Sequence, residues 1–406
     1  MNIDELRSLF PQTAGKVYGK PLVYLDNAAT SLRPLPVVRK WEEMSLKYNS
    51  NLHRAVHFTA VAATEEYEST REAVASFIGA EFPEEIVFTS GTTQSVNLLA
   101  ATLGKSFSEG DEIIISAAEH HSNIVPWQLL KDSNKLIIKV LPINEQGELR
   151  LDLLPSLLSD RTKICCVSQV SNVLGVVNPV RKIADTCHAN GTLLLVDGAQ
   201  GIPHVETDVR RMDCDFYAFS GHKMYAAPGT GVLYGKKHLL ENLPPYMGGG
   251  EMIESVSWDK TTFAPIPRRF EAGTQNISGV PTLKPAIELI KQMRDSDLVA
   301  RTSELKDWML ETMASEPGVT LYGNPHDAEN KISLFSIAVD GVHHEDLALI
   351  LDKMGIATRS GQMCAEPLMD SLGVTGLLRA SFAPYNTMDE ARYFVESLRK
   401  AVKMLR

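Results

Sequence analysis

Several polar residues of this 406-residue chain stand just after short apolar runs, where a side chain can be held rigidly and still reach a ligand. Lys223 follows "DFYAFSGH", in the company of Phe216, Tyr217, Ala218 and Phe219, with Ser220 and His222 beside it. Asp197 closes "TLLLVD", where an unpaired carboxylate would be costly to bury and calls for a cationic or protonated partner. "EIIIS" leads into "AAEHHSN", which supplies His120 and His121, and "KICCVSQV" leads into Ser171 and Asn172. After "EIVF" comes "TSGTTQSVNLLA", in which Thr92 and Thr93 open a helix. The free N–H groups and positive dipole end of such a helix, with two hydroxyls beside them, suit a phosphate. Each residue also has an ordinary reading: surface solvation for a lysine, a satisfied structural role for a histidine, a cap for a threonine.

As a set they say more. A phosphate seat, a ring-stacking histidine, a buried aspartate and a lysine are what a pyridoxal phosphate site needs. The lysine forms the Schiff base, and the aspartate keeps the pyridine nitrogen protonated so that the ring accepts electrons. Independent runs supply these features in compatible places.

The elements that must position them follow from the pattern. "TEEYESTREAVASFIGA" has Tyr67, Val74, Phe77 and Ile78 at helical spacing. Short β-branched runs recur from "EIVF" to "FYAFS", mostly separated by helix-length segments, which predicts βαβ units and a mainly parallel, doubly wound sheet. In such a sheet, ligands bind outside the carboxyl ends of the strands. The fold class expected is therefore α/β, with a large domain over residues 19–290. Residues 1–18 with 291–406 are expected to form a smaller α/β domain, with "KISLFSIAVD" as a strand and "HEDLALILDKMG" as a helix closed by Gly355.

The totals narrow the function classes. With 44% hydrophobic and 22% charged residues the chain is globular, and its net charge of −10 argues against a nucleic-acid partner. The start, "MNIDELRSLF", lacks the basic and apolar regions of a signal peptide, and no apolar run approaches membrane-spanning length. Five cysteines without a C-x-x-C pair read as reduced thiols in a cytoplasmic protein. Four lie among apolar residues or in a helix-like stretch, whereas Cys364 lies in the turn-like "RSGQMCAEP". "PGTGVLYG" has the wrong spacing for a dinucleotide fingerprint, and "HRAVH" (His53 to His57) lacks the glutamate of a zinc helix, so no metal is expected.

The stretches "SGHKMYAAPGTGVLYG", "VDGAQG", "GTTQSVN", "EHHSNIVPWQ", "QVSNVLG", "RRFEAGTQN" and "RSGQMCAEPLM" together resemble the cysteine desulfurases, nearest the SufS type, in class V of the fold-type I pyridoxal-phosphate enzymes. The likeness runs from "YLDNAAT" to "RASFAPYNT". It implies that Lys223 holds the cofactor, that Asp197 pairs with the pyridine nitrogen and Gln200 with the ring hydroxyl, and that His120 stacks on the ring. Thr92, Thr93, Ser220 and His222 would cradle the phosphate. Thr274 in "EAGTQN" would reach the phosphate of the other subunit of a homodimer. Arg379 in "LLRASF" would grip the substrate carboxylate, a task that suits its fork of donors. Asn172 would position the substrate, with His53 a weaker candidate.

The resemblance further implies that L-cysteine is converted to alanine while Cys364 takes the sulfur as a persulfide for iron–sulfur cluster assembly. An acceptor protein of the SufE or SufU kind would then remove it. Many relatives carry Gly-His-His-Cys in this loop, where the chain has Gly361-Gln362-Met363-Cys364. The thiolate is the reactive form, so its tuning must come from elsewhere, and turnover without an acceptor is expected to be slow. Selenocysteine or cysteine sulfinate would fit the same pocket. An aminotransferase would leave Cys364 without a task, and a non-catalytic scaffold in a sulfur-transfer complex would leave the polar set without one.

Overall fold

The computed structural model describes residues 1–324 and 327–406. The β-branched runs build a seven-stranded sheet: β1 (Ile86–Thr89), β2 (Glu112–Ser116), β3 (Ile137–Leu141), β4 (Thr162–Ser168), β5 (Leu193–Asp197), β6 (Phe216–Ser220) and β7 (Gly231–Gly235). Their spatial order is β1-β7-β6-β5-β4-β2-β3. Neighbours among β2 to β6 pair in parallel. Only β7 is reversed, antiparallel to both β6 and β1, which leaves β1 pointing the same way as the rest. The carboxyl ends of β1, β2, β4, β5 and β6 therefore share one edge. The inner strands are covered on both faces, which is why they read as continuous apolar runs without alternation.

Close backbone packing fixes this edge. Gly231 is paired with both Ser220 and Thr89, and a Cβ there would come within 2.3 Å of the Gly91 backbone. Only glycine permits that approach.

The N-terminal helix α1 (Ile3–Ser8) sends Leu6 into the large core, and Phe10 beyond it packs on the rings of Tyr225 and Tyr385. Helix α2 (Phe58–Ile78) ends at Gly79, whose φ of +70° supplies the left-handed cap. Helix α3 (Thr92–Leu103) starts directly after the Gly91 turn. Helix α4 (Leu283–Arg294) packs Leu283, Ala286, Ile287 and Ile290 against the same core as the large sheet. From Leu305 onward, helix α5 (Leu298–Ser315) belongs to a second core.

That second core lies under a four-stranded antiparallel sheet, β8 (Val319–Tyr322), β9 (Leu334–Val339), β10 (Arg359–Gly361) and β11 (Leu377–Ser381), in the order β8-β9-β11-β10. Helices α6 (His344–Lys353) and α7 (Met388–Leu405) pack with it. In α7 the buried Ala391, Phe394, Val395, Leu398 and Ala401 recur at three- and four-residue intervals on one stripe. Thr387 and Glu390 close its N-terminus as a reciprocal capping box. Residues 23–26 cross to this side: Val23 and Tyr24 pair with Ile356 and Ala357, and Asp26 bridges to Ser381. Among the described residues, no helix is long and apolar enough to cross a membrane, and no cluster of three or more His, Cys, Asp or Glu could hold a metal.

Candidate active site

The shared strand edge faces a cavity of about 170 Å³. Asp197, the last residue of β5, is buried there and accepts the Ala199 N–H at 2.9 Å. Lys223 stands in the turn after β6. Burial raises the Asp197 pKa while the charge of Lys223 pulls it back. Burial lowers the Lys223 pKa while Asp197 resists. The two line the same cavity, yet no ion pair joins them among the described residues.

The other strand ends complete the surroundings. The Thr92 N–H donates to Ser220 Oγ at 2.9 Å, and the Thr92 hydroxyl lies 2.9 Å from the same oxygen. Thr93 and His222 also line the cavity. Burial, aided by the charge of Lys223, lowers the His222 pKa to about 4. His120 Nδ1 accepts the Ser122 N–H at 3.0 Å, which leaves the ring hydrogen on Nε2. Burial first, and Lys223 second, lower its pKa to about 3, so the imidazole is neutral at physiological pH. Gln200 donates to the Ala28 carbonyl at 2.6 Å, while its Oε1 is buried without a partner.

The opposite wall comes from the second sheet. Arg379, on β11, is 2% exposed. One Nη donates to the Asn172 carbonyl at 2.7 Å, the other lies 3.2 Å from Asp26, and its buried Nε has no partner. Burial lowers its pKa to about 10 against the pull of Asp26. Cys364 is the one exposed cysteine among five. It follows Met363, and both have φ of +56°, a left-handed conformation that non-glycine residues hold only where their surroundings enforce it. Three contacts do so: Asn172 donates to the Met363 carbonyl at 2.9 Å, the His121 N–H donates to the Cys364 carbonyl at 2.8 Å, and His121 Nε2 accepts the Glu366 N–H at 3.1 Å. The Met363 side chain is buried in a cluster with Val173, Leu174 and Leu368.

Of the residues expected from the sequence, the cavity gathers Thr92, Thr93, His120, Asn172, Asp197, Ser220, His222, Lys223, Cys364 and Arg379, with Gln200 adjoining through its neighbour Ala199. His53 and Thr274 are not brought into it. His53 instead bonds Glu68 at 2.9 Å and packs edge-on to Tyr67, while His57 caps α2, so the two histidines of "HRAVH" serve separate structural contacts. Thr274 is exposed.

Three members escaped the sequence reading. Arg359 lines the cavity and is paired with Arg379 across β10 and β11, and Asp26 meets Arg379 from far along the chain. Glu119 is fully buried behind His120, accepting from Ser116, Asn123 and the Ser168 N–H, and burial raises its pKa to about 7. Its place next to His120 in "AAEHHSN", as the one acid after an apolar run, was the available signal.

Comparison with known proteins identifies the family. Residues 23–394 match the family model described as Aminotransferase class-V. The chain is 43% identical over 406 residues to a protein of Dickeya dadantii (strain 3937) named "Cysteine desulfurase", covering 99% of this chain and 97% of that one. It is 41% identical to a protein of Vibrio cholerae serotype O1 named "Probable cysteine desulfurase", over the full length of both. Among solved structures, the cysteine desulfurase CsdA of Escherichia coli superposes with a TM-score of 0.90 at 39% identity over all of both chains. An apo cysteine desulfurase of Thermococcus onnurineus NA1 gives 0.94 at 38%, covering all of this chain and 99% of that one. The chain thus belongs to the class-V aminotransferase family and, within it, to the cysteine desulfurases.

Proposed function

We propose that the protein converts L-cysteine to L-alanine and takes the sulfur onto Cys364. The observation that carries this reading is the convergence of an exposed thiol, a shielded amine and an arginine with a free donor edge on one cavity. In balance, the Cys364 thiol and L-cysteine give a Cys364 persulfide and L-alanine. The Cβ–S bond breaks, an S–S bond forms, and no external oxidant or reductant is needed.

Pyridoxal phosphate fits the residues present. The unpartnered Oε1 of Gln200 is a ready acceptor for a ring hydroxyl, Asp197 for a protonated pyridine nitrogen, and the start of α3 with Ser220 and His222 for a phosphate. When bound through its aldehyde, this cofactor supplies the electron sink that weakens the substrate Cβ–S bond. Lys223 would hold the cofactor and would move the proton at the substrate Cα. His120, neutral and with its hydrogen on Nε2, would stack on the ring. Arg379 takes the substrate carboxylate with its open edge, and Asn172 orients Arg379 through its carbonyl.

The wider reading is that of a cytoplasmic homodimer of the SufS kind that feeds iron–sulfur cluster assembly through an acceptor protein of the SufE or SufU kind. Most of residues 291–406, joined by residues 23–26, would form the domain carrying the thiol, while residues 1–18, expected there from the sequence, pack Leu6 and Phe10 into the core of the cofactor domain instead. Support for the dimer is the exposure of the apolar Val56, Phe58 and Trp258 and of Thr274, which stands outside the cavity of its own chain.

The test is alanine release from L-cysteine, with mass detection of a protein persulfide, for wild type, Cys364→Ser and Lys223→Ala, with and without a thiol reductant. Alanine and persulfide in wild type only, with alanine boosted by the reductant, support the reading. Bound cofactor without persulfide sinks it.

A further inference from the structure

The site described so far leaves one buried charge without a task. Lys331 is 3% exposed and has no carboxylate partner among the described residues. Its Nζ donates to the carbonyl oxygens of Leu174 and Gly323, both at 2.5 Å, and lies 3.5 Å from that of Tyr322. Burial lowers its pKa to about 7. Carbonyl dipoles offset the desolvation of an ammonium only in part, and an apolar side chain would fill the same space without that penalty.

The residues that Lys331 holds bear on the reaction. Leu174 lies in the turn Ser171–Val176 that follows β4, and segment 330–336 engages this turn repeatedly. Ser336 Oγ donates to the Val173 carbonyl, the Ile332 N–H to Gly175 at 2.9 Å, and the Val177 N–H to Asn330 at 2.9 Å. Gly323 is pressed against the turn so closely that a Cβ would lie 2.3 Å from the Leu174 oxygen. Two residues before Leu174 stands Asn172, whose carbonyl accepts from Arg379 and whose amide donates to Met363, the neighbour of Cys364. Three divergent donors on one ammonium can join two turns at once, which a hydroxyl or a single N–H cannot.

We infer that Lys331 is a positioning residue for the reaction: it ties the Ser171–Val176 turn to the Tyr322–Gly323 turn and so fixes Asn172, from which both Arg379 and the Cys364 loop take their places. The effect on turnover rests on the desulfurase reading. The effect on the loop does not.

The holoenzyme tests this as wild type, Lys331→Met and Lys331→Arg, with two readouts: steady-state alanine release, and the rate at which iodoacetamide alkylates Cys364. Lys331→Met is expected to raise KM for L-cysteine about tenfold and to speed alkylation severalfold, with the absorbance of the bound cofactor unchanged. Lys331→Arg, which keeps multiple donors, should recover most of both. A purely structural role would lower the melting temperature of Lys331→Met and move neither readout, and that result overturns the inference. So does a Lys331→Met defect that Lys331→Arg shares in full. If Lys331→Met does not fold, Ser336→Ala, which frees the Val173 carbonyl of the same turn, takes its place, and an unchanged KM and alkylation rate there count equally against it. Wild type without alanine release would instead sink the desulfurase reading, and the alkylation rates would still decide this one.

Discussion

The carbonyl of Cys364 accepts a 2.8 Å hydrogen bond from the amide of His121, so the loop bearing the exposed thiol is tied through its main chain to the residue after His120. The exposed thiol on the second sheet's side is thereby fixed to the strand edge that carries His120. His121 returns a second contact, its Nε2 accepting from Glu366 at the other end of the same loop.

Arg379→Lys should separate binding from chemistry. The guanidinium already spends one Nη on Asn172 and the other on Asp26, and its Nε edge is what remains for a carboxylate. A lysine cannot reproduce that fork. Loss of charge-assisted hydrogen bonds worth about 1.5–3 kcal/mol should raise KM for L-cysteine by roughly 10- to 100-fold, with a smaller effect on kcat. An unchanged KM in initial-rate measurements would exclude Arg379 as the carboxylate clamp.

Lys223 should react as an unusually acidic lysine. Because burial lowers its pKa below the ordinary 10.5, the amine is the free base, and hence nucleophilic, at a lower pH than a solvated lysine. Schiff-base formation between cofactor-stripped protein and added pyridoxal phosphate should therefore rise with pH and level off below 10.5. Stopped-flow absorbance measures this, and a midpoint at or above that value would contradict the desolvated setting.

His120 should not titrate where histidines usually do. Its pKa is lowered to about 3, so its ring carbons should keep constant chemical shifts from pH 8 down to pH 5 in the cofactor-free protein. A midpoint near 6.5 would mean that the ring is solvated and not held against the cavity wall.

Arg71→Met should be costly to the fold. Arg71 and Glu271 form an ion pair at 2.7 Å with both side chains 2% exposed, and Glu271 also accepts the Phe88 N–H within β1. Removing one partner leaves the other charge buried and unpaired, a loss of about 3–5 kcal/mol. Urea unfolding followed by circular dichroism should show the midpoint fall. A midpoint within error of wild type would mean that water reaches the pair.

Legibility from sequence divided along a physical line. The strand edge was readable because inner strands of a parallel sheet must be apolar throughout, so a polar residue at the end of such a run stands out: Asp197, Lys223 and the pair His120 and His121 were each found that way. The single reversed strand β7 was not, since an apolar run carries no mark of its direction. Asp26 and Arg359 were missed because their importance lies in meeting Arg379, and that meeting is made by chain crossing between the two sheets. His53 looked chemical by spacing, yet its partner Glu68 lies along α2, and only the fold shows that the pair closes on itself.

The left-handed backbone at Met363 and Cys364 has a consequence for how this chemistry could diversify. The loop between β10 and the Glu366–Leu372 helix hangs from its main-chain groups, bonded by His121 and Asn172, and from one buried methionine, while the start of α3 is locked by the Gly91–Gly231 contact. The two parts meet through the contacts that His121 and Asn172 make with the loop. Mutational drift could shorten, lengthen or recolour this exposed loop while the strand edge stays fixed by Gly231, where a side chain would meet the Gly91 backbone.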